Sequence, residues 1–139
     1  MLPPIDRPSH PGPRAAVKVW RVAGSAAEDA APPSAAALAV ACGDSVRSVQ
    51  FAPCCQPGAG YHLAAGLEGG GLQLLRLTGS AGGQLAAERV WEAPPYEQHA
   101  AAVRRLCWRR DEGSSGGGER LQLASCSEDH SIRIFSVCL

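Results

Sequence analysis

The stretch LASCSEDHSIRIFSV, at residues 123–137, decides the fold. Its first part is a short run of small and apolar residues, its middle is the turn-forming SEDH, and its last part alternates apolar and polar side chains. Because side chains of a β-strand point alternately to its two faces, residues 131–137 predict a strand with one face against a core. The whole stretch therefore predicts a β-hairpin, in which a tight turn joins two antiparallel strands.

The second strand of this hairpin recurs twice earlier in the chain. AVKVWRV at 16–22 and GLQLLRL at 71–77 place apolar residues at the same positions as SIRIFSV at 131–137. In all three copies a basic or amide residue separates the first two apolar residues, namely Lys18, Gln73 and Arg133. The copies are offset by 55 and 60 residues, and recurrence at a similar spacing is the sequence signature of a repeat architecture.

The second and third copies extend further upstream. HLAAGLEGG (62–70) aligns with QLASCSEDH (122–130), and SVRSVQF (45–51) aligns with AVRRLCW (102–108). One unit therefore reads as a strand, a variable loop, a strand, a tight turn and a strand. A fourth, outer strand is expected after a unit, with residues 37–41 and 84–90 as the candidates.

The repeat resembles that of the WD40 family, whose units of about 40–45 residues contain four strands. Residues 123–137 are similar to the end of a WD40 repeat, which usually reads close to LASGSxDxTVRIWD. His99, four residues before Val103, lies where such repeats keep the histidine of a Gly-His pair. The resemblance implies an all-β, partial WD40 β-propeller of about two four-stranded antiparallel blades plus a strand of a third, with long disordered loops.

The resemblance divides the chain into four parts. They are a disordered N-terminal segment at 1–14, the end of one repeat with a Pro/Ala-rich loop and outer strand at 15–44, a repeat at 45–95, and a C-terminal repeat at 96–139 with a Gly/Ser-rich insertion at 111–120. Helix propensity alone would make the Ala-rich stretches 26–41 and 81–87 helical. Pro32, Pro33 and the pair Gly82-Gly83 interrupt them, which favours loops and outer strands.

A closer resemblance covers AAGLEGGGLQLLRL at 64–77, AVRRLCWRR at 102–110 and the stretch 123–137. Together they look like the C-terminal end of the Elongator complex protein 2 family, the double-propeller WD40 subunit of the Elongator complex. The resemblance implies that the chain is a fragment and a non-catalytic scaffold. Its partners would be other Elongator subunits, and it would support wobble uridine modification in tRNA through protein–protein interactions. The alternative within the WD40 class is a generic adaptor in signalling or ubiquitin transfer.

In WD40 repeats a histidine, a turn aspartate, a serine or threonine and a tryptophan form a buried hydrogen-bond network. By resemblance His99, Ser125, Asp129 and Phe135 hold these positions in the last unit, with Ser127 as the alternative to Ser125. A network of this kind joins adjacent strands and specifies their register. Phe135 stands where the family has tryptophan and offers no N–H group, so the network is expected to be truncated.

The chain also departs from the WD40 pattern. Trp20-Arg21 and Phe135-Ser136 replace the WD dipeptide, and the middle unit has Cys42 at the position of His99 and Gly69 at the position of Asp129.

A third hypothesis is a hydrolytic or metal-dependent enzyme that uses His99, Asp129 and Cys126. No nucleophile lies in a known catalytic motif, and GGGL at 69–72 is followed by no Gly-Lys-Ser/Thr as a phosphate-binding loop requires. Zinc ligands can be imagined at Cys54-Cys55 with His62 or at Cys126 with His130, but neither has the paired spacing of a structural site. The sequence thus predicts no catalytic residue, no cofactor and no metal.

The net charge and the positions of the basic and aromatic residues restrict the classes of partner that the chain is expected to bind. The formal net charge is zero, which argues against the basic stripe of a nucleic-acid-binding surface, so no direct DNA binding is expected. The scaffold role implied by the resemblance involves no small-molecule substrate. The densest basic cluster, Arg104, Arg105, Arg109 and Arg110, is interpreted as a solvated strand end, with an RNA or an acidic partner as the alternative. Trp91 and Tyr96 are interpreted as packing at a blade edge, with a partner contact as the alternative.

Six cysteines occur without a CxxC pair, and no apolar signal segment precedes them. A reduced compartment follows, cytoplasmic and secondarily nuclear, with the cysteines as small core residues and no membrane association. Because two units cannot close a ring, the chain alone is expected to be marginally stable or to associate with another piece.

Overall fold

A computed structural model describes residues 15–20, 38–53, 60–79, 84–111 and 120–139. These residues form three antiparallel sheets, called here the first, middle and last sheets. The first contains β1 and β2, the middle contains β3 to β6 in chain order, and the last contains β7 to β9. The strands are β1 Ala16–Val19, β2 Leu38–Ala41, β3 Val46–Phe51, β4 Tyr61–Leu67, β5 Leu72–Gly79, β6 Leu85–Glu92, β7 Val103–Arg110, β8 Arg120–Ser127 and β9 Ile132–Cys138, with a 3-10 turn at Pro95–Glu97.

The all-β, partial propeller expected from the sequence is confirmed. The outer strands expected at 37–41 and 84–90 are β2 and β6, and each pairs with the strand before it. Within the described residues, the first sheet thus has the expected outer strand beside β1, and the last sheet has three strands where the resemblance implied four. In the first sheet, residues 38–41 pair along the whole of β1. The segment 1–14 and most of the insertion at 111–120 lie outside the described residues, as does most of the stretch 26–41.

Strands β4 and β5 are apolar on both faces because each face contacts another sheet. Leu63 and Ala65 point toward the first sheet, whereas Ala64 between them points toward the last. The core between the first and middle sheets comprises Val17, Cys42, Leu63, Ala65, Leu67 and Leu75. The core between the middle and last sheets comprises Ala64, Leu72, Leu74, Ala93, Val103, Leu106 and Leu123. Each fully buried leucine contributes roughly 1.5–3 kcal/mol to this packing.

Polar contacts also join the sheets. The Trp108 indole Nε1 donates to the carbonyl of Gln50 at 3.0 Å, linking the first strands of the middle and last sheets. Ser48 Oγ donates to the carbonyl of Val103 at 3.3 Å across the same interface. On the other side, Gln73 Nε2 donates to the carbonyl of Cys42 at 2.9 Å, between the middle sheet and the loop after β2. Hydrogen bonds and apolar packing therefore fix the stacking of the sheets together.

The outward face of the last sheet is apolar and exposed. Ile132 and Ile134 are 72% and 67% exposed, whereas their repeat equivalents Leu72 and Leu74 are 0% and 2% exposed because the last sheet covers them. The same side-chain pattern thus serves an internal face in one unit and a free face in the next. None of the described residues belongs to a helix that is long and apolar enough to span a membrane.

Candidate functional site

A cluster of four polar side chains lies at one end of the last sheet. His99 lies on the loop before β7, Ser125 lies in β8, and Asp129 and Ser131 lie in the turn between β8 and β9. The His99 Nε2 atom is 2.7 Å from Ser125 Oγ, and its Nδ1 atom is 3.2 Å from Asp129 Oδ2 and 3.0 Å from Ser131 Oγ. The imidazole therefore joins the loop before β7 to a central strand and a turn that lie 26–32 residues further along the chain.

One placement of the imidazole proton gives both ring nitrogens of His99 a hydrogen-bond partner. When Nδ1–H of His99 donates to Asp129, Nε2 is free to accept from the Ser125 hydroxyl. The Ser131 hydroxyl donates to Asp129 Oδ1 at 2.5 Å. Since His99 and Ser125 are 3% and 1% exposed, these bonds satisfy groups that water does not reach.

Asp129 also accepts hydrogen bonds from donors other than His99. Its carboxylate receives the hydroxyl and the backbone N–H of Ser131, and the backbone N–H of Ala100 at 2.9 Å. These bonds, led by that of the Ser131 hydroxyl, hold the pKa of Asp129 well below its ordinary value. The charged carboxylate thus ties the turn to the loop before β7.

Of the residues predicted from the sequence, the structure brings His99, Ser125 and Asp129 together. Ser127 lies apart from His99 and donates from its Oγ to the carbonyl of Ala101 at 2.9 Å, so it fixes the same turn by another route. Phe135 packs edge-on against Trp91 in the middle sheet, with ring centroids 5.5 Å apart.

Ser131 was missed as a site residue, although the WD40 pattern offers a signal for it. The threonine two positions after the aspartate in LASGSxDxTVRIWD aligns with Ser131, which lies two positions after Asp129. A hydroxyl at that spacing can bond the aspartate within the turn. The network is therefore closed by a serine hydroxyl.

The middle sheet makes the equivalent loop–turn contact in the opposite direction. There the aspartate lies in the loop, and Asp44 Oδ2 accepts the backbone N–H of Gly69 in the β4–β5 turn at 2.7 Å. In the last sheet the aspartate lies in the turn and accepts from Ala100 in the loop. The middle sheet therefore keeps a hydrogen bond between its loop and its turn, although Cys42 and Gly69 occupy the positions of His99 and Asp129. Burial raises the pKa of the Cys42 thiol.

The hydrogen bonds among Ser125, His99 and Asp129 connect a hydroxyl, an imidazole and a carboxylate in the order of a serine nucleophile, its base and an orienting acid. The Ser125 hydroxyl, however, is not accessible to a substrate. A nucleophilic hydroxyl has to reach the substrate, and that of Ser125 is enclosed between β7 and β9. Cys126, the other candidate nucleophile, follows Ser125 in β8 and pairs with Ile132 across the ladder. Within the described part of the chain, no group of three or more His, Cys, Asp or Glu side chains could hold a metal ion. Cys54 and Cys55 lie outside that part.

The basic cluster is engaged in ion pairs and hydrogen bonds on the surface. Arg104 donates to Glu128 at 2.7 Å and Arg109 donates to Gln122 at 2.7 Å. The middle sheet repeats the first pair with Arg47 and Glu68, 3.2 Å apart. These pairs occupy equivalent repeat positions, which favours the interpretation of a solvated strand end over that of an RNA site. Exposed pairs of this kind contribute little to stability, about 0–1 kcal/mol each.

Trp91 lies within β6 and Tyr96 lies in the 3-10 turn after it, and the two residues have different environments. Trp91 packs against Phe135 between the middle and last sheets, as the blade-edge interpretation expects. Tyr96 is 80% exposed in the 3-10 turn and is available to a partner.

Among known proteins, the chain is similar to Elongator complex protein 2 from several organisms. It is 32% identical to the protein of Rattus norvegicus over 99 residues and 33% identical to that of Homo sapiens over 104 residues, in both cases across 68% of this chain. It is 32% identical to the protein of Dictyostelium discoideum over 101 residues, again across 68% of this chain. The chain spans 11–12% of the length of these relatives.

No protein-family model matches the chain. No solved structure matches it either.

Proposed function

The chain is a relative of Elongator complex protein 2 across two thirds of its length, and on this premise we propose that it acts as a non-catalytic WD40 scaffold of the Elongator complex. In this role it supports the modification of wobble uridines in tRNA through protein–protein interactions, and another subunit performs the chemistry. The likeness to five relatives of this one name carries the proposal.

The geometry of the polar cluster supports a non-catalytic role. His99, Ser125 and Asp129 satisfy one another in the interior, so their polar groups serve the joining of strands and a turn. The exposed features are those of a binding protein: an apolar outer face at Ile132 and Ile134 and an aromatic side chain at Tyr96. Rigid sheets that present exposed loops are a common arrangement for binding partners.

Affinity purification of the tagged, full 139-residue chain tests this proposal. Elongator subunits should be more abundant in this purification than in a control purification with the tagged His99→Ala variant. That substitution weakens the fold and leaves the exposed side chains unchanged. Recovery of the folded chain without any Elongator subunit would refute the proposal. Recovery of signalling or ubiquitin-transfer proteins instead would favour the generic adaptor.

We also propose that the chain acts in the cytoplasm and secondarily in the nucleus. A fluorescent fusion of the full chain should show both compartments. Confinement to a membrane-bound organelle would contradict this.

A further inference from the structure

An apolar groove lies between the first and middle sheets, at the end where β1 and β3 stop and β4 begins. It has a volume of about 440 Å³ and no charged residue in its lining, which includes Val19 and the buried Leu77. Three aromatic residues of the lining, Trp20, Phe51 and Tyr61, are 47%, 52% and 61% exposed. Phe51 and Tyr61 contact each other edge to face, with ring centroids 6.1 Å apart. The groove therefore presents a cluster of aromatic rings on the surface.

The repeat equivalents of two of these rings are not exposed in this way. Trp108, the equivalent of Phe51, packs against the core between the middle and last sheets and bonds to the carbonyl of Gln50 in β3. Leu121, the equivalent of Tyr61, is 1% exposed. Within the described residues the first sheet has only the equivalents of β5 and β6, so it supplies no strand to cover Phe51 as β3 covers Trp108.

The order of the chain indicates which segment would lie over the groove. Strands β3 and β4 precede β5, so the corresponding place beside the first sheet falls to residues that precede β1. These are residues 1–14. Two inner strands and their loop take residues 46–67 in the middle sheet, and the segment 1–14 is too short to supply both.

The sequence of this segment suits an aromatic groove better than a β-sheet. It reads MLPPIDRPSHPGPR and contains five prolines, namely Pro3, Pro4, Pro8, Pro11 and Pro13. Proline has no backbone N–H and is excluded from the interior of a β-ladder. Proline-rich segments instead favour the polyproline II conformation and bind in grooves lined by aromatic side chains. The run from Leu2 to Ile5 is apolar throughout, as is the lining of the groove.

The segment is long enough to reach the groove within one molecule. From Ala15 to Trp20 the chain advances roughly 17 Å, at about 3.3 Å per residue of strand. In the polyproline II conformation residues 9–14 would cover about 19 Å, at about 3.1 Å per residue. Residues 1–8 then remain to contact the groove.

The groove also offers hydrogen-bond donors. The Trp20 indole N–H and the Tyr61 hydroxyl form no hydrogen bond with any described residue. A polyproline II segment has no internal hydrogen bonds, so its carbonyl groups are free to accept. The two donors therefore match what such a segment presents.

We propose that residues 2–5, Leu-Pro-Pro-Ile, bind in this groove of the same molecule. The two prolines pack against the rings of Trp20, Phe51 and Tyr61, and the Trp20 N–H and the Tyr61 hydroxyl donate to carbonyl groups of the segment. The chain thus carries its own ligand for the groove. Residues 1–14 were expected to be disordered, whereas residues 2–5 are ordered when they are bound there. This inference goes beyond the Elongator role and does not depend on it.

The indole N–H signal of Trp20 in the NMR spectrum of the full chain reports on the groove, and Trp20→Phe identifies it. Replacing Pro3 and Pro4 together by glycine should shift this signal and increase the quenching of tryptophan fluorescence by iodide. The matched control replaces Pro32 and Pro33 by glycine and should change neither. An unchanged Trp20 signal in the first variant, or the same shift in both variants, would overturn the proposal.

A peptide of residues 1–8 tests the contact directly. Added to the variant with glycine at Pro3 and Pro4, it should return the Trp20 signal to its position in the natural chain, whereas the same peptide with glycine for both prolines should not. Tyr61→Ala in that variant should weaken peptide binding about tenfold through loss of one ring. His62→Ala, on the other face of β4, is the control and should leave binding unchanged. Equal binding by these two variants would contradict the proposed site.

Two further measurements separate the occupants. Iodide quenching of the natural chain should be the same from micromolar to millimolar concentration, because the segment belongs to the same molecule. Quenching that rises on dilution would identify the segment of a second copy as the occupant and overturn the choice of the same molecule. The natural chain should also bind the added peptide at least tenfold more weakly than the variant with glycine at Pro3 and Pro4. Equal affinity would show that the groove is open to a separate polypeptide, which also overturns the proposal.

Discussion

Leu74 and Ile134 occupy the same position of the repeat, yet Leu74 is 2% exposed and Ile134 is 67% exposed. Both follow a tight turn and both belong to the third strand of their sheet. The last sheet covers Leu74, whereas Ile134 belongs to the face that would contact a further sheet. The free energy of burial therefore depends on the neighbouring sheet and is not a property of the repeat.

The pair Leu74→Ala and Ile134→Ala measures this difference directly. Leu74→Ala should lower the free energy of unfolding by about 2–5 kcal/mol, because it leaves a cavity between two sheets. Ile134→Ala should change it by less than about 0.5 kcal/mol, because the side chain is largely hydrated in the folded chain. Urea denaturation followed by tryptophan fluorescence gives both values. Equal losses at the two positions would mean that the outer face is covered in solution.

Removing the imidazole of His99 should destabilise the last sheet. His99→Ala leaves the buried Ser125 hydroxyl without its partner and should cost about 1–3 kcal/mol. His62→Ala, in a partly exposed position on β4, is the control and should cost less than about 1 kcal/mol. Thermal and urea denaturation of both variants compare the two. An unchanged stability of His99→Ala would contradict a structural role for the network.

The Asp129 carboxylate should make stability depend on pH in the acid range. Its pKa is depressed in the folded chain, so the unfolded chain takes up the proton first as the pH falls through the ordinary aspartate value of about 3.9. The stabilisation is therefore complete above about pH 5 and declines below about pH 4. Asp129→Asn should be less stable than the natural chain at pH 6, and the difference should narrow toward pH 2 in denaturation curves. A difference that does not vary with pH would contradict this linkage.

The strands were predictable from sequence because two signals indicate the same segments. Apolar and polar side chains alternate within each segment, and the same alternation recurs in three copies. Val17, Leu72 and Ile132 share one position in three copies, and the structure places all three in strands. The turn aspartate Asp129 and its partner His99 followed from the WD40 resemblance, since the pattern fixes their spacing to neighbouring strands.

Other features depend on contacts that the repeat pattern does not encode. The role of Asp44 could not be derived, because it reverses the direction of the hydrogen bond that the last sheet makes. The position of Phe135 against Trp91 depends on how closely two sheets stack, which alternation within one strand does not report. For the same reason the pattern of β9 does not say whether its outer face is covered.

Close stacking of the middle and last sheets requires a residue without a side chain at Gly66. A Cβ atom there would lie 2.6 Å from Val103 Cγ1 and 2.7 Å from Ser48 Oγ, and Val103 is fully buried, so its side chain has little room to move. Gly66→Ala should lower the free energy of unfolding by about 1–3 kcal/mol through overpacking. Val103 Cβ would also lie 2.7 Å from the added Cβ, so Val103→Gly in the same chain should restore part of this loss by removing both close atoms, and a double-mutant cycle in urea measures the coupling. Gly43→Ala is the control for backbone strain, since Gly43 has a φ of +79° but nothing within 4 Å of an added Cβ. Its cost of about 1–2 kcal/mol should be independent of Val103. Additive losses for Gly66→Ala and Val103→Gly would show that the two sheets do not meet at this point.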